Sequence, residues 1–343
     1  MALKGIREKN LNSWFESHVD GAKPPLEFSL ITGGHSNLTF CVRDSAGSRF
    51  VLRRPPTGAV IATAHDMERE HRIISALAPT SVPVPAALGF CRDESVNDAP
   101  FYVMDFVDGY VLTDSLITAK KFDRPARKRL GEEVVDILAA LHQVVPEDVG
   151  LGSLGRKEAY VPRQLKRWKT QWEKTKTREL STMDEVYEGL QSGMPDQKGA
   201  GIVHGDYRLG NMLTGADGHV AAVLDWELCT LGDPLADLGY VMNNWSEEGE
   251  LGPGGASAAG LPTSAGGFPT REEFVARYEE LTGLDAAEID YYRAFQYWRL
   301  AAIVEGVLSR YMKGVMGGEA DTRAFRAQVD GLAEAARQRL SEL

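Results

Sequence analysis

Apolar and polar positions along the first hundred residues change period several times, and each change predicts an element. Asn10 to His18 carries a short leading helix, closed by Pro24 and Pro25. From about Glu27 the pattern alternates, as half-buried strands do. EFSLI and LTFCVRD read as two strands, joined through a glycine-containing turn of Thr32, Gly33, Gly34, His35, Ser36 and Asn37. RFVLRR, from Arg49 to Arg54, reads as a third strand, with Val51 and Arg53 on one face and Leu52 and Arg54 on the other. Ala64 to Leu77 predicts a helix with Met67, Ile73, Ile74 and Leu77 on one side. SVPVPAALGFCRD gives a proline-punctuated turn and a strand, and PFYVMDFVDG a buried strand running into a linker at Gly109.

The period then becomes helical. Leu130, Val134, Ile137, Leu138 and Leu141 mark a buried helix within Asp123 to Val145. Tyr160 to Gly193 predicts a further long helix, whole or broken, with Trp168 and Trp172 stacked one turn apart. Within the turn-rich stretch Gly201 to Tyr240, Met212 to Thr214 reads as a short strand, Asp217 and Gly218 as a hairpin turn, and Val220 to Leu224 as a buried return strand. LGPGGASAAGLPTSAGG has no hydrophobic period and reads as a surface loop. Arg271 to Leu281, Glu288 to Lys313 and Thr322 to Leu340 complete the chain as three helices, the middle one largely buried.

A chain of 343 residues is long enough for two cores. A small mixed region followed by a larger helical one predicts domains at 1–108 and 109–343. Net charge of -11 argues against general attraction to nucleic acid or to an anionic membrane, so an anionic ligand must be held by local charge. One such locality is Arg163, Lys166, Arg167, Lys169, Lys174, Lys176 and Arg178, a basic run in an acidic chain. Cys41, Cys91 and Cys229 form neither a disulfide framework nor a zinc pattern. With charges throughout the first eighteen residues and no apolar run near the ~20 residues of a membrane span, the expectation is a soluble cytoplasmic protein.

The densest chemistry lies in GIVHGDYRLGN, where His204, Asp206 and Asn211 fit H-x-D-x-x-x-x-N, and in the return strand that delivers Asp225. Phosphoryl transfer asks mainly for positioning and charge neutralisation. One carboxylate takes or orients the proton of an attacking hydroxyl, and an amide with a second carboxylate suits Mg2+, which prefers oxygen ligands and keeps several waters. Asp206 fits the first role, Asn211 and Asp225 the second. A metallohydrolase site built from His204, Asp206, His219, Asp225 and Asp233 is the competing reading.

HGDYRLGN followed by VLDWE and GDPLADLGY resembles the catalytic core of the aminoglycoside phosphotransferase-like branch of the protein-kinase fold. With LRRPP, EREHRIISAL and VPVP, the set is similar to the phosphotransferase-like domain of acyl-CoA dehydrogenase family members ten and eleven and to stand-alone bacterial homologues. The resemblance implies an α+β, bilobal fold: a small N-terminal antiparallel sheet lobe with one helix, and a larger, mainly helical C-terminal lobe. It implies ATP and Mg2+ as cofactors and a small-molecule hydroxyl as acceptor, with hydroxyacyl-CoA thioesters suggested by the branch and aminoglycosides by the family name. A catalytically silent nucleotide-binding module is a further alternative. Residue by residue, Gly34, His35, Ser36 and Asn37 would cover the phosphates, and Arg53 would stand where the family has a phosphate-gripping Lys. Glu70 would pair with Arg53, backbone groups of Asp105 and Val107 would meet adenine beside Met104, and Asp237 would brace the catalytic loop. Arg at position 53 departs from the family pattern, because a planar guanidinium does not replace a point-charge ammonium one for one.

Overall fold

Helix α1 (Glu8–His18) opens the chain, followed by strands β1 (Glu27–Leu30), β2 (Leu38–Arg43) and β3 (Arg49–Arg54). Next come helix α2 (Met67–Leu77), strand β4 (Ala87–Cys91), the single-turn helix α3 (Glu94–Asn97) and strand β5 (Phe101–Asp105). The computed structural model describes residues 3–31, 37–57, 66–250, 260–314 and 321–343. Gly34, His35 and Ser36 lie outside the described residues.

The described strands of this region form one sheet in the order β1-β2-β3-β5-β4, with antiparallel neighbours. Its two faces carry different chemistry because side chains alternate along a strand. Phe40, Val42, Phe50, Leu52, Phe101 and Val103 project to one face, where they pack with Leu11, Trp14 and Phe15 of α1 into an apolar core. Each such side chain, fully buried, contributes about 1.5–3 kcal/mol. The opposite face presents Val51, Arg53, Tyr102 and Met104, since Arg53 pairs in register with Tyr102 and Val51 with Met104. Parity therefore sends Arg54 toward the α1 side, where its guanidinium donates to the carbonyls of Gly5 and Asn97 at 2.8 and 2.7 Å.

Helix α2 begins where the Asp66 side chain accepts from the Arg69 N–H, a helix cap. Its buried stripe is Met67, Glu70, Ile73, Ile74 and Leu77. Glu70 is the one carboxylate in that apolar row.

The second half contains helices α4 (Ser115–Lys121), α5 (Arg124–Gln143), α6 (Tyr160–Thr175) and α7 (Ser181–Ser192). Short strands β6 (Gly201–Val203), β7 (Met212–Thr214), β8 (Val220–Val223) and β9 (Thr230–Gly232) follow, then helices α8 (Leu235–Asn243), α9 (Arg271–Thr282), α10 (Ile289–Met312) and α11 (Thr322–Ser341). The long helix expected from Tyr160 to Gly193 is thus two helices. Trp168 and Trp172 do not stack: Trp172 points inward and is buried, while the Trp168 ring lies under the guanidinium groups of Arg167 and Arg299, 5.4 and 5.6 Å from its centre.

The chain divides into two units, Met1–Gly109 with Ala221–Glu227, and Tyr110–Val220 with Leu228–Leu343. A seven-residue piece from late in the sequence, Ala221–Glu227, thus belongs to the first unit. In the described residues no helix is long and apolar enough to cross a membrane.

Candidate active site

In the first unit the chemistry gathers around Arg53. Its side chain is 15 % exposed; Nε lies 2.9 Å from Glu70 Oε2 and a terminal nitrogen 2.8 Å from Asp225 Oδ1. Glu227 stands 3.7 Å from the same guanidinium. The Asn37 amide nitrogen spans two of these carboxylates, donating to Glu70 at 3.2 Å and to Glu227 at 3.3 Å. The Tyr102 hydroxyl donates to Glu70 at 3.1 Å. Burial pushes the Glu70 carboxyl above its ordinary range, although Arg53 beside it pulls the other way. Burial also carries the Tyr102 hydroxyl far up, with Glu70 adding to the effect, so it remains a neutral donor.

One guanidinium therefore serves three carboxylates, an arrangement that Arg supports better than Lys because its fork offers donors in several directions. Arg53 and Glu70, paired by the sequence argument, do meet. The amide nitrogen of Asn37, expected over phosphate, is spent on carboxylates. Tyr102 and Glu227 were not singled out in the sequence; Glu227 follows Asp225 by two residues, and Tyr102 lies opposite Arg53 in the sheet.

Asp225 has φ of 65°, the left-handed region that costs a side-chain-bearing residue about 1–2 kcal/mol. The turn is held by buried Trp226, whose indole N–H donates to the Val223 carbonyl at 3.1 Å. Strain of this kind concentrates where a side chain must be aimed. Met104 is buried on the Arg53 face of the sheet. The Asp105 N–H donates to the Ala86 carbonyl at 2.9 Å. Val107 follows in the linker.

In the second unit Asp206 is the focus. The Asn211 side-chain nitrogen donates to Asp206 Oδ2 at 2.6 Å and to the Asp206 carbonyl at 2.8 Å. Two acceptors fix which end of the amide is nitrogen, so the Asn211 oxygen is the end left for a cation. Arg208 Nε donates to Asp206 Oδ1 at 3.3 Å, and the Tyr240 hydroxyl bonds the same carboxylate. Burial, then the Asp206 charge, push Tyr240 well above its ordinary value, so it too stays a donor. The Asp206 N–H donates to His204 Nδ1 at 3.2 Å, which makes that nitrogen the unprotonated one.

Asp237 braces this loop. Fully buried in the first turn of α8, it accepts from the backbone N–H groups of His204 and Gly205 at 2.6 and 2.8 Å. Burial would raise its carboxyl, but the bond from His142 and those backbone donors outweigh burial and hold it below the usual range. Gly205 itself has φ of 86°, and a Cβ there would lie 2.9 Å from the Leu228 carbonyl oxygen. Only glycine fits. The Gly205 carbonyl in turn accepts from both terminal nitrogens of Arg299 at 3.2 Å.

The donor set fits magnesium rather than zinc. An amide oxygen and carboxylates are hard ligands, and the commitment of the Asn211 nitrogen to Asp206 leaves its oxygen free. The metallohydrolase ligands do not assemble: His219 is exposed against Glu133, Asp233 accepts from the Tyr292 hydroxyl, and His204 Nδ1 is taken by the Asp206 N–H. Among the described residues no three His, Cys, Asp or Glu side chains form a metal-binding group. The basic run is also less bare than its sequence suggests. Lys169 pairs with Glu173 and Asp184, Lys176 with Glu173 and Glu179, and Arg178 with Asp330.

Comparison with known proteins identifies the family and the fold. Residues 27–292 match the model of the phosphotransferase enzyme family. Acyl-CoA dehydrogenase family member 10 of Mus musculus is 33 % identical over 309 residues, covering 90 % of this chain but only 28 % of that longer protein. A crystal structure of a candidate aminoglycoside phosphotransferase from Ralstonia eutropha JMP134 superposes with a TM-score of 0.81 at 32 % identity, covering 97 % of this chain and 98 % of the other. A ternary complex of aminoglycoside phosphotransferase APH(4)-Ia with ADP and hygromycin B shares the fold, with a TM-score of 0.60 at 16 % identity, covering 96 % of this chain and 98 % of that one. The fold is the bilobal, kinase-like α+β fold of these enzymes, and the chain belongs to the phosphotransferase enzyme family.

Proposed function

We propose that the protein moves the γ-phosphoryl group of ATP to a hydroxyl of a small anionic molecule, with a hydroxyacyl-CoA thioester as the first acceptor to try. The observation that carries this reading is the Asp206 carboxylate, aimed by Asn211, Arg208 and Tyr240 on a loop braced by Asp237.

In this scheme Asp206 accepts the proton of the acceptor hydroxyl as its oxygen forms the new bond to phosphorus, and ADP leaves with the electrons of the broken P–O bond. Asn211 and Asp225 would hold Mg2+, which when bound neutralises phosphate charge. Arg53, oriented by Glu70, would contact the triphosphate, and backbone groups of Asp105 and Val107 would meet adenine, with Met104 at the pocket edge. Asp225 is engaged by Arg53 in this structure, so nucleotide entry exchanges part of that ion pair for contacts to phosphate and metal.

The acyl-CoA preference rests on the mouse relative, which carries an acyl-CoA dehydrogenase name, and on local positive charge. That charge includes Arg167 and Arg299 around Trp168, whereas Arg208 is itself paired with Asp206. The test measures ADP release with hydroxyacyl-CoA thioesters and with kanamycin. Anionic acceptors should turn over, Asp206→Asn should lower the rate by about 100-fold or more with nucleotide affinity kept, and Asp225→Ala should lose Mg2+-dependent nucleotide binding. Efficient phosphorylation of kanamycin alone would return the protein to antibiotic-kinase chemistry; an unchanged rate in Asp206→Asn would remove the assignment altogether.

A further inference from the structure

Glycine at position 205 leaves a loose joint directly before Asp206. At φ 86° and without a Cβ, Gly205 restricts its own ψ little, so the Gly205–Asp206 peptide plane could turn over and swing the Asp206 side chain with it. In this structure the plane is held at both edges. Its carbonyl accepts from both terminal nitrogens of Arg299 at 3.2 Å, and its N–H, that of Asp206, donates to His204 Nδ1 at 3.2 Å. The Gly205 N–H, one peptide earlier, donates to Asp237 Oδ1 at 2.8 Å. A buried anion on α8 and a buried cation on α10 thus grip one glycine from its two ends.

Arg299 is itself held. It is 6 % exposed; one terminal nitrogen also donates to Gln296 Oε1 at 2.9 Å, and the guanidinium lies 5.6 Å from the Trp168 ring centre. The Gln296 amide nitrogen donates in turn to the carbonyl of Ala236, the residue before Asp237, at 2.7 Å. The helices that carry the two charges approach closely, because a Cβ on Gly239 of α8 would lie 2.8 Å from the Tyr292 backbone on α10. Arg299 Nε is buried without a hydrogen-bond partner, a cost that an apolar side chain of similar size would avoid if packing were the only role. We infer, on the phosphotransferase reading above, that Arg299 is a positioning residue: it fixes the Gly205–Asp206 peptide plane and so aims the carboxylate that takes the proton of the acceptor. Such a pin acts on kcat, where a misplacement of about 1 Å costs about 100-fold, and not on the KM for ATP.

The experiment compares the wild type with Arg299→Met and Arg299→Lys in the full chain. Turnover is read as ADP release with hydroxyacyl-CoA thioesters and with kanamycin, nucleotide affinity by calorimetry with Mg2+ and ADP, and the peptide plane by amide hydrogen exchange resolved at single residues. In Arg299→Met, kcat should fall roughly 10–100-fold, with the KM for ATP and the ADP affinity within about twofold of wild type. The Asp206 N–H should exchange about 10-fold faster or more, while the N–H groups of β6 keep their rates. Lysine keeps the charge but offers one ammonium in place of a fork, and should recover part of both losses. A folded Arg299→Met with wild-type kcat overturns the inference. So does a loss of kcat matched by faster exchange throughout β6, which is loosening of the whole fold. Should Arg299→Met fail to fold, Trp168→Leu decides: removing the ring that faces the guanidinium should lower kcat about 3–10-fold with ADP affinity kept, and an unchanged kcat overturns the pin. If the wild type releases no ADP with any acceptor and Arg299→Met still frees the Asp206 N–H alone, phosphoryl transfer is refuted and the pin stands. Equal turnover in the two proteins refutes the pin and keeps phosphoryl transfer.

Discussion

Replacing Arg53 by alanine should do more damage to stability at alkaline than at acidic pH, and the structure gives the reason and the size. Arg53 is 15 % exposed and its partner Glu70 only 3 %, so solvent screens the pair little. Removing one member of a buried ion pair leaves an uncompensated charge and costs about 3–5 kcal/mol. Burial already holds the Glu70 carboxyl above its ordinary 4.5 with Arg53 present, and without the guanidinium it rises further. A group whose value is raised in the folded state contributes stability below its unfolded value and loses it as pH climbs through the folded one. The deficit should therefore be larger at a pH above the raised folded value, and at a second pH below it a proton on Glu70 should reduce it to about 1–2 kcal/mol, the scale of a lost hydrogen bond and some packing. Urea unfolding at the two pH values reads this directly. Arg53→Met with Glu70→Gln should recover to within about 1 kcal/mol of wild type, because replacing both partners removes the buried charge while Gln still accepts from Tyr102. A deficit that does not depend on pH, or no rescue in the double variant, would refute the reasoning.

Three further outcomes are expected. Arg53→Ala should raise the KM for ATP more than the KM for the acceptor, checked by steady-state kinetics with each substrate varied in turn. Asp237→Asn puts an N–H donor where the site accepts from His204, Gly205 and His142; it should cost about 1–3 kcal/mol at pH 7. Because the Asp237 carboxyl is held below 3.8, that cost should close in acid unfolding only as pH falls through its lowered folded value. Gly205→Ala forces a Cβ to within 2.9 Å of Leu228 at φ 86° and should cost about 2 kcal/mol or more by calorimetry, with turnover falling as well because Asp206 is the next residue.

The sequence made the frame legible because periodicity and strand parity are local properties. Alternation in RFVLRR was enough to separate Arg53 from Arg54, and the observed register puts them on opposite faces with different partners. The supporting cast was not legible. Tyr102 reaches Glu70 from β5, Tyr240 and Arg299 reach the Asp206 loop from α8 and α10, and nothing in their local sequence marks them. Helical spacing alone placed Trp168 beside Trp172, but burial took one ring and guanidinium groups took the other. Charge counting likewise overstated the basic run, since Asp184 and Asp330, its partners, lie on other helices.

The membership of Ala221–Glu227 in the first unit sets an order of events during synthesis. When Gly109 has been made, the amino-terminal sheet still lacks Asp225 and Glu227, and the guanidinium of Arg53 has only Glu70 as its carboxylate partner. The Pro83 carbonyl likewise waits for the Val223 N–H. Translation from residue 109 to residue 227 takes roughly 6–24 s at 5–20 residues per second. For that interval the nascent chain holds an unfinished lobe, and a fragment ending at Gly109 would hold it permanently.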